Sequence, residues 1–243
     1  METSTEMVID HPKPKPEDLF EAAEKGDTSI FEVLSEEELR RSRTLRNEDD
    51  RSLLHVASAS GYSELVRVLA NADPSLSGVN CKDEEGWAPI HSSSSCGHDA
   101  VVKVLLDKGA DINMKNTGGQ TALHYAASKG WLKIAELLMS HGSNINVKDK
   151  YGCAPLHRAA SIGNSEMCEL LIEEGAIVDI TDKAGQTPLM NAVICQNQQV
   201  ALLLIRYGAD VDVEDNEGYT VLGHASKDIR DSLVTAAKVM LEG

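Results

Sequence analysis

Aromatic side chains make up only 4% of this 243-residue chain: two Trp, five Tyr and two Phe. A single large core leans on such rings. The apolar mass here is Leu, Ala, Val and Ile, which suits thin, repeated layers. No apolar run reaches the roughly 18 residues that a membrane-spanning helix needs. The first 15 residues are polar and lack the apolar stretch of a secretory signal. Cysteines are few and scattered: Cys81, Cys96, Cys153, Cys168 and Cys195 form no C-x-x-C pair. That argues against both a zinc knuckle and a disulfide framework, and for reduced thiols in a cytoplasmic and nuclear protein. Positive charge is short as well, with 23 Lys and Arg against 39 Asp and Glu and a formal net charge of −16. Nucleic acid needs a basic footprint, so it is not an expected partner. A protein with a basic surface suits the charge better. There is no H-E-x-x-H, G-x-S-x-G, phosphate loop or G-x-G-x-x-G. No catalytic site, cofactor or metal is therefore expected, and the chain does not read as an enzyme.

What the chain does have is a period. His91, His124 and His157 are 33 residues apart, and two further steps reach Met190 and Gly223. The residues before each mark are alike: Ala88-Pro89-Ile90, Thr121-Ala122-Leu123, Ala154-Pro155-Leu156, Thr187-Pro188-Leu189, Thr220-Val221-Leu222. A glycine stands five residues before each mark, at Gly86, Gly119, Gly152, Gly185 and Gly218. A second series keeps step: Gly109-Ala110, Gly142-Ser143, Gly175-Ala176, Gly208-Ala209. Upstream, Ser52-Leu53-Leu54-His55 precedes His91 by 36 residues, with extra residues around Asp73–Ser75, and Leu19–Ala23 with Gly26 forms a degenerate first unit. This makes seven units, starting near Pro16, Asn47, Glu84, Thr117, Lys150, Lys183 and Asn216.

Each unit reads as turn, helix, turn, helix. The early glycine permits positive φ, Ser or Thr before Pro caps a short helix, and a later glycine ends it. A second helix then carries apolar residues at helical spacing, as in Ile134, Leu137 and Leu138. No such unit buries its apolar face alone, so the units stack and the end units depart as caps. The expected organisation is a disordered tail over residues 1–15 and one domain over 16–243. The fold class is all-α, a solenoid of about seven helix-turn-helix repeats with short β-hairpin fingers. Met190 at a histidine slot, and Gln196 in place of a helix-ending glycine, make the sixth unit a candidate weak point.

A catalytic residue is not normally repeated at each unit, so the four in-step histidines are expected to be structural. The function is then expected on the face lined by finger tips and first helices. Trp87 follows the turn glycine where most units have small or polar residues, with Arg51 one unit earlier and Tyr219 in the last. Trp, Tyr and Arg concentrate interface energy. Tyr151 precedes Gly152, and Arg158 and Tyr125 follow in-step histidines. Acids Asp49, Asp50, Glu84 and Glu85 gather in the N-terminal fingers.

The repeated T-P-L-H-x-A-A and G-A-D-x-N patterns resemble the ankyrin repeat, over nearly the whole chain. Within that family, Lys82–His91, Leu123–Lys129, Lys148–Tyr151, His157–Ala160 and the end Val239–Gly243 are similar to the gankyrin group. These are seven-repeat chaperones and non-ATPase subunits of the proteasome regulatory particle. The resemblance implies a chaperone that binds the C-terminal domain of one ATPase subunit of the regulatory-particle base along a concave face; the chain itself is expected to be a monomer. Asp49, Arg51, Glu84, Trp87, Lys148, Tyr151 and Arg158 fall on matching positions. The retinoblastoma-binding Leu-x-Cys-x-Glu of animal members is not carried over, because the aligned stretch is Asn191-Ala192-Val193-Ile194-Cys195. The alternative is an adaptor or scaffold that uses the same face for an unrelated signalling or transcription protein.

Overall fold

Every unit of the computed structural model is built on helices; residues 14–72 and 77–242 are described, with side chains as far as Thr235. The first unit supplies α1 (Pro16–Lys25), the short α2 (Ser29–Glu32) and α3 (Glu36–Ser42); the second, α4 (Leu53–Ser60) and α5 (Ser63–Asn71). The third and fourth give α6 (Pro89–Cys96), α7 (Asp99–Asp107), α8 (Ala122–Lys129) and α9 (Leu132–Ser140). Then come α10 (Pro155–Ile162), α11 (Ser165–Glu173), α12 (Pro188–Ile194) and α13 (Gln198–Arg206). The last unit shrinks its first helix to one turn, α14 (Val221–His224), and lengthens its second, α15 (Lys227–Glu242). Of the expected tail only Pro14 and Lys15 lie within the described residues, and the Asp73–Ser75 insertion lies outside them.

First helices stack on first helices, from α1 and α4 through α14, and second helices on second helices, from α5 through α15. One core of buried side chains runs from Leu19 to Leu233. Small residues make the close inner stack possible: Ala57, Ala126, Ala127, Ala159, Ala160 and Ala192 are completely buried. In α6 the equivalent residues are serines, and Ser93 satisfies its hydroxyl on the carbonyls of Pro89 and Ile90 (both 3.2 Å). Glycines mark the edges where neighbouring units nearly touch. At Gly97 (φ 85°) a Cβ would lie 2.8 Å from the Trp131 ring, whose Nε1 donates to the Ser95 carbonyl at 3.2 Å. At Gly119 (φ 74°) it would lie 2.9 Å from the Lys150 backbone nitrogen.

The fingers are simpler than hairpins, and no strand is formed among the described residues. Each closes with a backbone bond between its ends, as from Asp83 to Trp87 (2.9 Å) or Asp149 to Cys153 (3.0 Å), and a second across its turn, as from Gly86 to Asp83 (2.9 Å) or Gly152 to Asp149 (3.0 Å). From the third finger on, one more bond joins each to the next, as from Thr117 to Glu85 (3.0 Å) and Lys150 to Gly118 (2.8 Å). With only three residues between the bonded ends, there is no length for a ladder.

The in-step histidines join the units. In each, Nδ1 accepts the N–H of the residue that opens its own helix: Ser52 (3.2 Å), Ala88 (3.0 Å), Thr121 (3.1 Å) or Ala154 (3.1 Å). With Nδ1 so used, Nε2 carries the proton and donates to the next unit's finger, at the carbonyls of Trp87 (2.8 Å), Gln120 (3.2 Å), Cys153 (3.0 Å) and Gln186 (3.0 Å); His91 Nε2 is also 2.9 Å from the Met114 carbonyl. Alanine at positions 88 and 154 has no side-chain oxygen for capping, and there the imidazole does that work. Met190 fills the slot in the sixth unit, 1% exposed, and Thr187 caps its helix (3.3 Å). The packing is kept there but the bond to the next unit is lost.

Burial pushes the imidazoles of His55 and His124 down to about 4, and those of His91 and His157 below their usual value. The folded chain keeps these rings neutral, whereas the unfolded chain protonates them from about pH 6.5 downward. The stability they contribute is complete above that pH, falls as pH drops from 6.5 to 4, and levels off below. For His55 and His124 the loss is on the order of 3 kcal/mol each. Thermal melts should therefore show Tm falling steeply over this window, and His124→Met should lower Tm at pH 7 yet flatten the pH slope; an unchanged slope would contradict the assignment. Gln196 ends α12 at φ 61°, where a side chain is strained. Gln196→Gly should raise the stability measured in urea by about 0.5–1 kcal/mol.

Candidate protein-binding face

The fingers owe their shape to one side chain at the base of each. Asp83 Oδ1 accepts the N–H groups of Glu85 (3.1 Å) and Trp87 (2.8 Å). Asn47 does the same for Asp49 (3.2 Å) and Arg51 (2.8 Å), and Asp149 for Tyr151 (2.8 Å) and Cys153 (3.0 Å). Asn116, Asp182 and Asp215 occupy the same position in their units. The finger residues proposed to meet a partner are thus hung on Asx side chains that are half-buried (Asn47, Asp83) or buried (Asp149). Sequence reasoning assigned these no role, although Asn47, Asp83, Asn116, Asp149, Asp182 and Asp215 keep step with the glycines.

In three of the fingers the other end of the Asx group is secured nine residues later, on the first helix. Arg158 Nη2 pairs with Asp149 Oδ2, whose side chain is fully buried. Burial by itself raises the Asp149 carboxyl; the Arg158 bond and the finger amides outweigh it and hold the group below the usual carboxylate range. Asn116 Nδ2 donates to the Tyr125 hydroxyl (2.8 Å), which donates to Gln120 (2.8 Å). In the third unit the residue nine beyond Asp83 is the short Ser92. Arg51 from the preceding finger takes over, its Nη2 3.2 Å from Ser92 Oγ and its Nε 4.0 Å from Asp83 Oδ2.

Four of the expected site residues come together. Asp49, Arg51, Glu84 and Trp87 line one cleft of about 370 Å³ between the second and third fingers, with Asp83 and Glu85. Trp87 is half-buried and packs on Tyr125 of the next unit, ring centroids 4.4 Å apart and tilted by 44°. One ring thus both joins two units and walls the cleft. Arg51 is held by Asp83 and Ser92, while Asp49, Glu84 and Glu85 are exposed carboxylates.

Lys148, Tyr151 and Arg158 lie apart from this cleft, on the fifth finger and α10. Tyr151 is 60% exposed, and Lys150 Nζ sits 5.1 Å over its ring. Arg158 faces both ways, bonded to Asp149 with a side chain still 30% exposed. Lys148 belongs to a ladder along the stack: Lys82 Nζ donates to the Lys115 carbonyl (3.0 Å), Lys115 Nζ to Lys148 (2.9 Å), and Lys148 Nζ to Thr181. Its ammonium thus also fastens the fifth unit to the sixth.

The four in-step histidines have both ring nitrogens bonded to backbone, so none offers a free nitrogen for proton transfer. Among the described residues no group of His, Cys, Asp or Glu is placed to hold a metal, and no helix is long and apolar enough to cross a membrane. Removing the finger clamp should be costly. Asp149→Ala, which leaves two amides and Arg158 without their acceptor, should lose roughly 2–4 kcal/mol of stability in urea unfolding, and Asp149→Asn, which keeps the amide acceptor, clearly less.

Residues 19–116, 110–182 and 156–242 match the family profile described as Ankyrin repeats (3 copies). Over 66 residues the chain is 39% identical to 26S proteasome non-ATPase regulatory subunit 10 of Dictyostelium discoideum, covering 27% of this chain and 28% of that protein. Over 136 residues it is 27% identical to a transient receptor potential cation channel subfamily A member 1 homolog of Caenorhabditis elegans, covering 43% of this chain and 11% of that protein. The aligned stretches thus span about a quarter or less of these relatives' own lengths. The ankyrin repeat domain of Bcl-3 superposes with a TM-score of 0.76 at 24% identity, covering 92% of this chain and all of that one, which is a likeness of fold. The chain belongs to the ankyrin-repeat family and folds as one of its protein-binding solenoids.

Proposed function

We propose that this protein is an assembly chaperone that holds the C-terminal domain of an ATPase subunit of the proteasome regulatory-particle base against its finger-lined face. The observation that carries the reading is the cleft between the second and third fingers, where Asp49, Arg51, Glu84 and Trp87 converge. Glu84 and Trp87 also lie in a segment that resembles the gankyrin group, Asp49 and Arg51 fall on positions matching it, and the likeness to the proteasomal non-ATPase subunit of Dictyostelium discoideum adds support.

The reading needs no bond-making chemistry. Finger clamps, histidine bridges and the lysine ladder fix the face beforehand, so little ordering cost remains on binding. Exposed carboxylates dominate around the cleft, and Lys148, Lys150 and Arg158 stand further along. A partner with the opposite arrangement is steered into one orientation and is sensitive to salt. While bound it keeps the ATPase domain from docking early, and a later assembly partner displaces it by competition.

The test is a pull-down with the full chain as bait at low and moderate salt, read by mass spectrometry. One proteasomal ATPase subunit should dominate and weaken with salt. Arg51→Ala and Trp87→Ala, checked by thermal melts for an intact fold, should each reduce capture about tenfold or more, in the range of interface anchors. Absence of the proteasome at both salts would overturn the reading in favour of an adaptor for another protein, and unchanged capture by both variants would remove the face.

A further inference from the structure

The fifth and seventh units hold an acid and a base in the same two slots. In the fifth these are Asp149 and Arg158; in the seventh, Asp215 and His224, with His224 Nε2 2.6 Å from Asp215 Oδ2. The rest of the clamp is alike. Asp215 Oδ1 accepts the amides of Glu217 (2.9 Å) and Tyr219 (3.0 Å), as Asp149 Oδ1 accepts those of Tyr151 and Cys153. Asp215 has a side chain only 3% exposed, while Tyr219 is 50% exposed and lies 5.6 Å from the His224 ring. The two clamps differ chiefly in the base: the arginine is always charged, whereas a histidine changes charge between about pH 5 and 8.

The elements packed against His224 bring few charged groups to it. α12, which packs on α14, carries no titratable residue, and its equivalent slot is Asn191. The sixth finger contributes Asp182 and Lys183, and the seventh Glu214, Glu217 and Tyr219. α15 begins with Lys227, Asp228, Arg230 and Asp231, and Arg230 donates to the carbonyls of Leu222 (2.9 Å) and Ala225 (3.5 Å). Asp215 stays charged, because the Tyr219 amide foremost, and His224 as well, hold its carboxyl below the usual range.

We propose that the His224–Asp215 contact is a proton-operated latch on the terminal finger. With His224 neutral, its Nε2–H makes an ordinary hydrogen bond to the carboxylate. With a proton added at Nδ1, the same bond becomes charge-assisted, as in the Arg158–Asp149 clamp, and is roughly twice as strong. The finger that displays Tyr219 is then firmer at pH 6 than at pH 8. The Arg158–Asp149 clamp of the fifth finger has no base that changes charge over that range. This regulation is independent of which partner the face binds.

Amide hydrogen exchange of the full chain, followed by NMR and expressed as protection relative to intrinsic rates, tests the latch. Protection of the Glu217 and Tyr219 amides should be about fivefold greater at pH 6 than at pH 8. The Tyr151 and Cys153 amides should show no such gain at pH 6. His224→Arg should give high protection at both pH values, and Asp215→Asn, which keeps the Oδ1 acceptor, low protection at both. Should the arginine variant disturb α14, the asparagine variant carries the test. Equal wild-type protection at the two pH values, a response that survives Asp215→Asn, or a parallel change in the fifth finger would overturn the proposal.

Discussion

The structure depends on the hydrogen bond that each in-step imidazole makes to the next unit. A short helix pair has too little apolar surface to fold alone, and what fixes it is contact with the pair beside it. The ring serves both needs, accepting the N–H that opens its own helix and donating to the neighbouring finger. Burial keeps the ring neutral, and neutrality lets one nitrogen accept while the other donates. The sixth unit shows what the bond adds: Met190 preserves the packing, but Tyr219 receives no equivalent donor.

The binding face follows from the same stacking. Stacked units bring their fingers side by side, and an Asx side chain at the base of each finger fixes its backbone. Most of the clamps are then locked from the first helix, by Arg158, Tyr125 or His224, or from the preceding finger by Arg51. Each of these residues therefore has two duties, to hold its finger and to display what is left of its own surface. A substitution on this face acts on both, which is why binding and stability must be measured together.

Much of this was legible in the sequence. The period of 33, the turn glycines and the helix-opening Ala-Pro and Thr-Pro pairs gave the number of units and the order of helices, because each unit repeats the same local problem. The expectation of hairpin fingers went too far: five residues hold one tight turn with two backbone bonds and no ladder. The Asx clamps were present in the period yet were overlooked, because a finger aspartate reads as a solvated charge until its carboxylate is seen buried beneath two amides. Lys148 illustrates the opposite difficulty. Its position suggested a surface contact, and its ammonium also spans to Thr181, a bond between residues 33 positions apart.

The sequence by itself determined the repeating unit, the all-helical class and which residues face the core, since these depend on spacing and local propensity. Only the tertiary structure decided how residues from different units meet. It set Arg51 on Ser92 and beside Asp83, laid Trp87 on Tyr125, and gathered Asp49, Arg51, Glu84 and Trp87 around one cleft. The physical reason is that the helix period is written within a unit, whereas the spacing and rotation between stacked units emerge only from how their buried side chains pack.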